Sequence, residues 1–146
     1  MRNHVFNGIL SETLTLKNDV HEVKKLSSFE KALFEKMGLE DALAHQMRLA
    51  VEEAVVNVME YAYPIGEKGE IEVCMTADGE YLKAIITDTG TPFDPTLKEG
   101  VDISLSAEER QIGGLGIHML RALVDDVRYE YVNGRNTLTL TKRLKD

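Results

Sequence analysis

The sequence predicts an α+β fold, a two-layer α/β sandwich in which helices cover one face of a mostly antiparallel, mixed sheet. Three observations lead there. Two long segments repeat their apolar residues at helical spacing, and several short ones alternate at the two-residue spacing of strands. Asp78-Gly79 and Asn133-Gly134 each lie between two strand-like segments, where such dipeptides favour a tight antiparallel hairpin. The segments run strand, helix, helix, strand, strand, loop, helix, strand, strand. Helices and strands thus come in groups, as they do where helices gather on one side of an antiparallel sheet.

The first strand follows from Leu10, Glu12, Leu14 and Leu16 alternating with Ser11, Thr13 and Thr15, so one parity is the more apolar. Asn18 and Asp19 are good N-cap types, and after them Val20, Val23, Leu26, Phe29, Leu33, Phe34 and Met37 recur at helical spacing until Gly38 closes the helix. A second helix presents Leu43, Met47, Ala50, Val51, Ala54, Val55, Val58 and Met59 as a wide apolar face, with Pro64 and Gly66 as its stop. The strands "EIEVCMT" (70–76) and "YLKAIITD" (81–88) flank Asp78-Gly79. Residues 89–112 show neither period and hold Gly90, Pro92, Pro95 and Gly100, which marks a long loop of a length that is usually functional. "GGLGIHMLRALVDDV" (113–127) turns from glycines into a helix. "VRYEYV" (127–132) and "NTLTLTKRL" (136–144) close the chain around Asn133-Gly134.

At 146 residues, 43% hydrophobic and 29% charged, residues 1–146 have the size of a single globular domain able to bury a core. The net charge of −8 and the lack of a Lys/Arg cluster argue against direct nucleic-acid binding. The opening "MRNHVFNGIL" lacks the apolar stretch of a secretory signal, and no run reaches the roughly 20 residues of a membrane span. Cys74 is the sole cysteine, so no internal disulfide forms and a reducing, cytoplasmic setting is expected, with Cys74 a packed strand residue. The four histidines are scattered without metal-ligand spacing.

Three constellations carry chemistry. Glu53 and Asn57 stand four residues apart on the second helix and project to the same side, where a solvated polar edge is the commoner arrangement. Together they join a carboxylate able to act as a general base to an amide oxygen suited to Mg²⁺ beside phosphates. In "ITDTGTPFDP", Asp88 ends an apolar strand two residues before Gly90. A strand-end carboxylate can accept a hydrogen bond from an exocyclic amine, with Gly90 allowing close approach of a flat ring; a turn that merely caps the strand is the alternative. In "GGLGIHML", Gly113, Gly114 and Gly116 precede a helix whose free backbone N–H groups can hold an anion, although the spacing matches neither the dinucleotide nor the P-loop pattern.

In this order, "EAVVN", "DTGTPFDP" and "GGLGIHMLRALVDDV" resemble the N, G1 and G2 boxes of the GHKL superfamily of ATP-binding domains, and within it the bacterial anti-sigma-factor serine/threonine kinases. The resemblance covers nearly the whole chain. It implies ATP and Mg²⁺ as cofactors, Glu53 as general base, Asn57 as Mg²⁺ ligand, Asp88 as the adenine-reading carboxylate with Gly90 beside it, and Gly114, Leu115 and Gly116 as the phosphate-side turn. It implies that Thr137, with Thr139 as a near alternative, supports Asp88 around the adenine, and that residues 89–112 form an ATP lid. Tyr61 stands where many relatives carry a histidine. The implied function is an ATP-dependent protein serine/threonine kinase acting as an anti-sigma factor, which phosphorylates a small STAS-type anti-anti-sigma protein and sequesters a sigma factor. The alternative is a non-catalytic, ATP-dependent protein-binding module. Self-association as a homodimer stays open.

Overall fold

The computed structural model describes residues 9–63, 68–97 and 116–144. Strand β1 (Leu10–Lys17) leads through a 3-10 turn at Val20–Glu22 into helix α1 (Val23–Met37), and helix α2 (Asp41–Tyr61) follows at once. The hairpin β2 (Glu70–Ala77) and β3 (Tyr81–Asp88) comes next, then a second 3-10 turn (Pro95–Leu97), helix α3 (Gly116–Leu123) and the hairpin β4 (Asp126–Val132) and β5 (Arg135–Arg143). Asp19 caps the 3-10 turn by accepting the His21 N–H, so the capping signal opens that turn and α1 itself starts at Val23. Gly38 ends α1 in the left-handed conformation (φ 67°) that glycine adopts without a Cβ penalty.

The last helix is shorter than its sequence pattern predicts. It stops at Leu123, and Val127 pairs with Leu140 as strand. Two contacts impose the stop: Lys142 Nζ donates to the Leu123 carbonyl at 2.9 Å, and the Asp125 carboxylate accepts the Arg143 N–H at 2.6 Å. Both tie the helix end to β5.

The five strands form one sheet in the order β1-β2-β3-β5-β4, and all four pairings are antiparallel. Asn133 (φ 54°) and Gly134 (φ 77°) supply the two consecutive positive φ angles of a type I′ hairpin, whose twist matches that of the strands. In β3, Leu82, Ala84, Ile86 and Asp88 are buried, and in β5 Asn136, Leu138 and Leu140 are. That parity faces the helices: α1 packs on β1 and α2, α2 on β3 and β5, and α3 on α2 and β4. The opposite parity, including Thr137, Thr139, Thr141, Lys83 and Arg128, lines a polar outer face. Cys74 belongs to that outer parity and is partly buried, with the Ser11 hydroxyl 3.8 Å from its sulfur. Among the described residues no helix is long and apolar enough to cross a membrane.

Candidate functional site

Glu53 and Asn57 lie one turn apart on the side of α2 that turns toward the sheet's Asp88 end. Asn57 is buried (5% exposed), and its Nδ2 donates to Glu53 Oε2 at 3.1 Å. The amide oxygen takes no part in that bond and remains the hard-ligand atom of the pair. Glu53 is half-buried; loss of solvent, then repulsion from Glu60, raise its pKa above the ordinary glutamate range, against the Asn57 hydrogen bond. A carboxylate raised in this way is a stronger base.

Asp88 ends β3 with its side chain 2% exposed. Its Oδ1 accepts two hydrogen bonds, from the Gly90 N–H at 2.8 Å and from Asn136 Nδ2 at 2.9 Å. Burial raises its pKa, while Asn136, Gly90 and the Arg135 charge oppose the rise. The turn that follows is clamped to the end of α2. Thr91 N–H donates to the Ala62 carbonyl at 2.7 Å, and Tyr63 Oη accepts the Thr89 N–H at 3.2 Å while donating to the Glu70 carbonyl at 2.8 Å. A Cβ at Gly90 would lie 2.3 Å from the Ala62 oxygen, so the missing side chain makes room for the end of α2.

Thr137 is placed away from Asp88. In the β3–β5 register Asp88 stands opposite Asn136, and Thr137 stands opposite Thr87. Because side chains alternate along a strand, Thr137 and its near alternative Thr139 point to the outer face with Thr141, away from Asp88. The residue beside the carboxylate is Asn136. Its parity was legible: Asn136 alternates in step with Leu138 and Leu140, as Asp88 does with Ile86, Ala84 and Leu82.

Asn57, Asp88 and Asn136 meet on one cavity, closed further by Phe93, Tyr129 and Leu120 of α3. Its volume is ≈ 10 Å³, room for about one water, so a purine enters only if a wall shifts. Phe93, on the segment after Gly90, closes one side of the cavity and stacks on Tyr61 (centroids 5.2 Å apart, rings inclined by 23°). Gly116 opens α3, whereas Gly114 and Leu115 lie outside the described residues. The expected lid at 89–112 is described only as far as Leu97.

The donor set fits a nucleotide with its cation. A buried carboxylate whose Oδ2 takes no hydrogen bond from the described residues suits an exocyclic amine, and no group of three His, Cys, Asp or Glu among the described residues could cage a metal. One amide oxygen at Asn57 matches Mg²⁺, which typically takes one or two protein ligands and completes its shell with phosphate and water.

A family model described as histidine kinase-like ATPase domain matches residues 16–142. The serine-protein kinase RsbW of Listeria monocytogenes is 34% identical over 104 residues, covering 68% of this chain and 66% of that protein. RsbW of Bacillus subtilis is 30% identical over 103 residues, covering 67% and 63%. The chain therefore spans just under two thirds of the length of these relatives. In fold, it is similar to the crystal structure of the RsbU and RsbW domains of Rv1364c from Mycobacterium tuberculosis, with a TM-score of 0.67 at 20% identity over 92% of this chain and 32% of that one.

Proposed function

This chain belongs to the histidine kinase-like ATPase domain family, and from that we propose that it is an ATP-dependent protein serine/threonine kinase acting as an anti-sigma factor. The observation that carries the reading is the meeting of Asn57 and Asp88 on one cavity, with Glu53 hydrogen-bonded to Asn57. The similarity to proteins named serine-protein kinase supports phosphotransfer to a hydroxyl.

In this reading Asp88 Oδ2 accepts a hydrogen bond from the adenine amine, and Oδ1 stays held by Gly90 and Asn136. The Asn57 amide oxygen would hold Mg²⁺, which supplies neutralisation of phosphate charge. Glu53 takes the proton of a serine or threonine hydroxyl as that oxygen bonds to the γ-phosphorus and the bond from phosphorus to the bridging oxygen breaks, releasing ADP. The hydroxyl belongs to a small STAS-type anti-anti-sigma protein, and a sigma factor competes with that protein for the kinase.

The two residues of the pair fail differently when removed. Glu53→Gln keeps shape and the bond to Asn57, so Mg-ATP still binds while transfer falls by about 10²- to 10⁴-fold. Asn57→Ala lowers nucleotide affinity in Mg²⁺ and leaves affinity in EDTA little changed, because only the metal-dependent contact is lost. The check is ATP titration with and without Mg²⁺, paired with single-turnover phosphorylation of a partner recovered in the presence of ATP. Full transfer by Glu53→Gln would exclude Glu53 as the base, and absence of transfer by the parent would leave the chain a nucleotide-dependent binding module.

A further inference from the structure

Asn136 spends its whole hydrogen-bonding capacity on two things at once. Nδ2 gives one hydrogen to Asp88 Oδ1 at 2.9 Å and the other to the Thr91 carbonyl at 3.0 Å, with the Gly90 carbonyl more distant at 3.5 Å. Oδ1 accepts the Phe93 N–H at 3.1 Å and the Tyr129 hydroxyl. The orientation of the amide is fixed by its surroundings: a flipped amide would set its N–H against the Phe93 N–H and its oxygen against the Asp88 carboxylate and the Thr91 carbonyl. With two donors and two accepted bonds, the side chain is saturated while only 4% exposed.

No other small side chain does this. A threonine has a single donor hydrogen, which serves Asp88 or Thr91 but not both, and an aspartate at this position would face Asp88 with a second carboxylate. We infer that Asn136 is a positioning residue that ties the Asp88 carboxylate to the backbone turn at 90–93, so that reading an exocyclic amine and ordering that turn are one event. The physical chain is short. Asn136 and Gly90 both load Oδ1, which turns Oδ2 to the cavity, and the same amide holds the two backbone groups that bring Phe93 over the cavity and onto Tyr61. Loss of the amide removes one of the two bonds at Asp88 Oδ1 and, with it, the bond at the Phe93 N–H. This rests on the proposed role of Asp88 toward adenine.

The test compares binding of ATP with that of ITP, which lacks the 6-amino group, and follows hydrogen exchange of the Phe93 amide. In the parent, ATP binds more tightly than ITP and the Phe93 amide is protected. Asn136→Ala is expected to reduce the ATP-over-ITP preference by about tenfold, the worth of a hydrogen bond to a charged group, and to expose the Phe93 amide to exchange. Asn136→Thr, which keeps one donor, retains part of the preference yet still loses Phe93 protection, a split that general loosening of the fold does not produce. Should Asn136→Ala fail to fold, Asn136→Thr carries the same comparison. An unchanged preference, or unchanged Phe93 exchange, in folded variants overturns the inference. Asp88→Asn separates this from the underlying reading. If that variant loses the preference and the Asn136 variants keep it, only the coupling fails; if Asp88→Asn keeps it, Asp88 does not read the amine and the proposed function loses its adenine site.

Discussion

Glu53 is half-buried and sits near the charge of Glu60, and both conditions disfavour its ionised form. As a general base it works only when ionised. Transfer should therefore rise with pH through an acid limb centred above the ordinary glutamate value of 4.5, and level off once Glu53 is ionised. Glu60→Gln removes the repulsion and is expected to move that limb to lower pH, while the residual rate of Glu53→Gln shows no limb in this range. A pH–rate profile of the three proteins checks this; coincident limbs in parent and Glu60→Gln would exclude Glu53 as the titrating base. At the same scale, Asp88 and Glu53 were legible as candidates because each is a carboxylate at a place where the pattern calls for an apolar or capping residue. Asn136 was missed because nothing in its neighbours marks it as polar and buried; only its parity with Leu138 and Leu140 does.

The packing of α1 on α2 contains one ionisable group in a dry place. Glu30 lies on the apolar face of α1 with Leu26, Leu33 and Met37, and it is fully buried (0% exposed). Neither of its oxygens has a hydrogen-bond partner among the described residues. Burial, reinforced by the Glu52 carboxylate across the interface and opposed weakly by Arg48, pushes its pKa up to about 10. Glu52 itself is engaged by Ser27 Oγ at 3.2 Å and by Arg48 Nε at 3.7 Å. The sign follows from proton linkage. Below the unfolded value of 4.5 both states carry the proton, and the fold bears no ionisation penalty. As pH rises above it the unfolded chain ionises and the folded one does not, so stability drains away until the folded pKa is reached. Glu30→Gln abolishes that drain. Its melting temperature should exceed that of the parent at about pH 8 by the equivalent of roughly 1–3 kcal/mol, with the gap closing toward about pH 5. Thermal melts across that range decide it, and parallel curves would mean that Glu30 is ionised in the fold. The helical period of α1 was readable in advance. Its buried charge was not, since a glutamate next to Phe29 on a periodic helix is ordinarily solvated.

Across the whole molecule, the site depends on three elements meeting at the end of α2. Gly90 is a tight point of that junction, and the 2.3 Å approach of a built Cβ to the Ala62 oxygen involves backbone on both sides, which cannot swing away as a side chain can. Gly90→Ala is expected to force the turn off α2, break the Thr91-to-Ala62 bond and cost about 1–3 kcal/mol of stability. It should weaken ATP binding as well, because the Gly90 N–H helps to orient Asp88. Denaturant unfolding and ATP titration measure the two losses; a variant as stable as the parent would show that the turn has slack. The sequence by itself determined the element order, the two hairpins, the helical faces and the candidates Glu53, Asn57 and Asp88, because periodicity, turn residues and misplaced polar groups are local properties. Only the tertiary structure decided that Asn136 and not Thr137 faces Asp88, that Gly90 yields to α2, that Glu30 is enclosed and that α3 stops at Leu123. Each of these depends on strand register or on the approach of residues far apart in the chain, and a one-residue change of register reverses which side chains share a face.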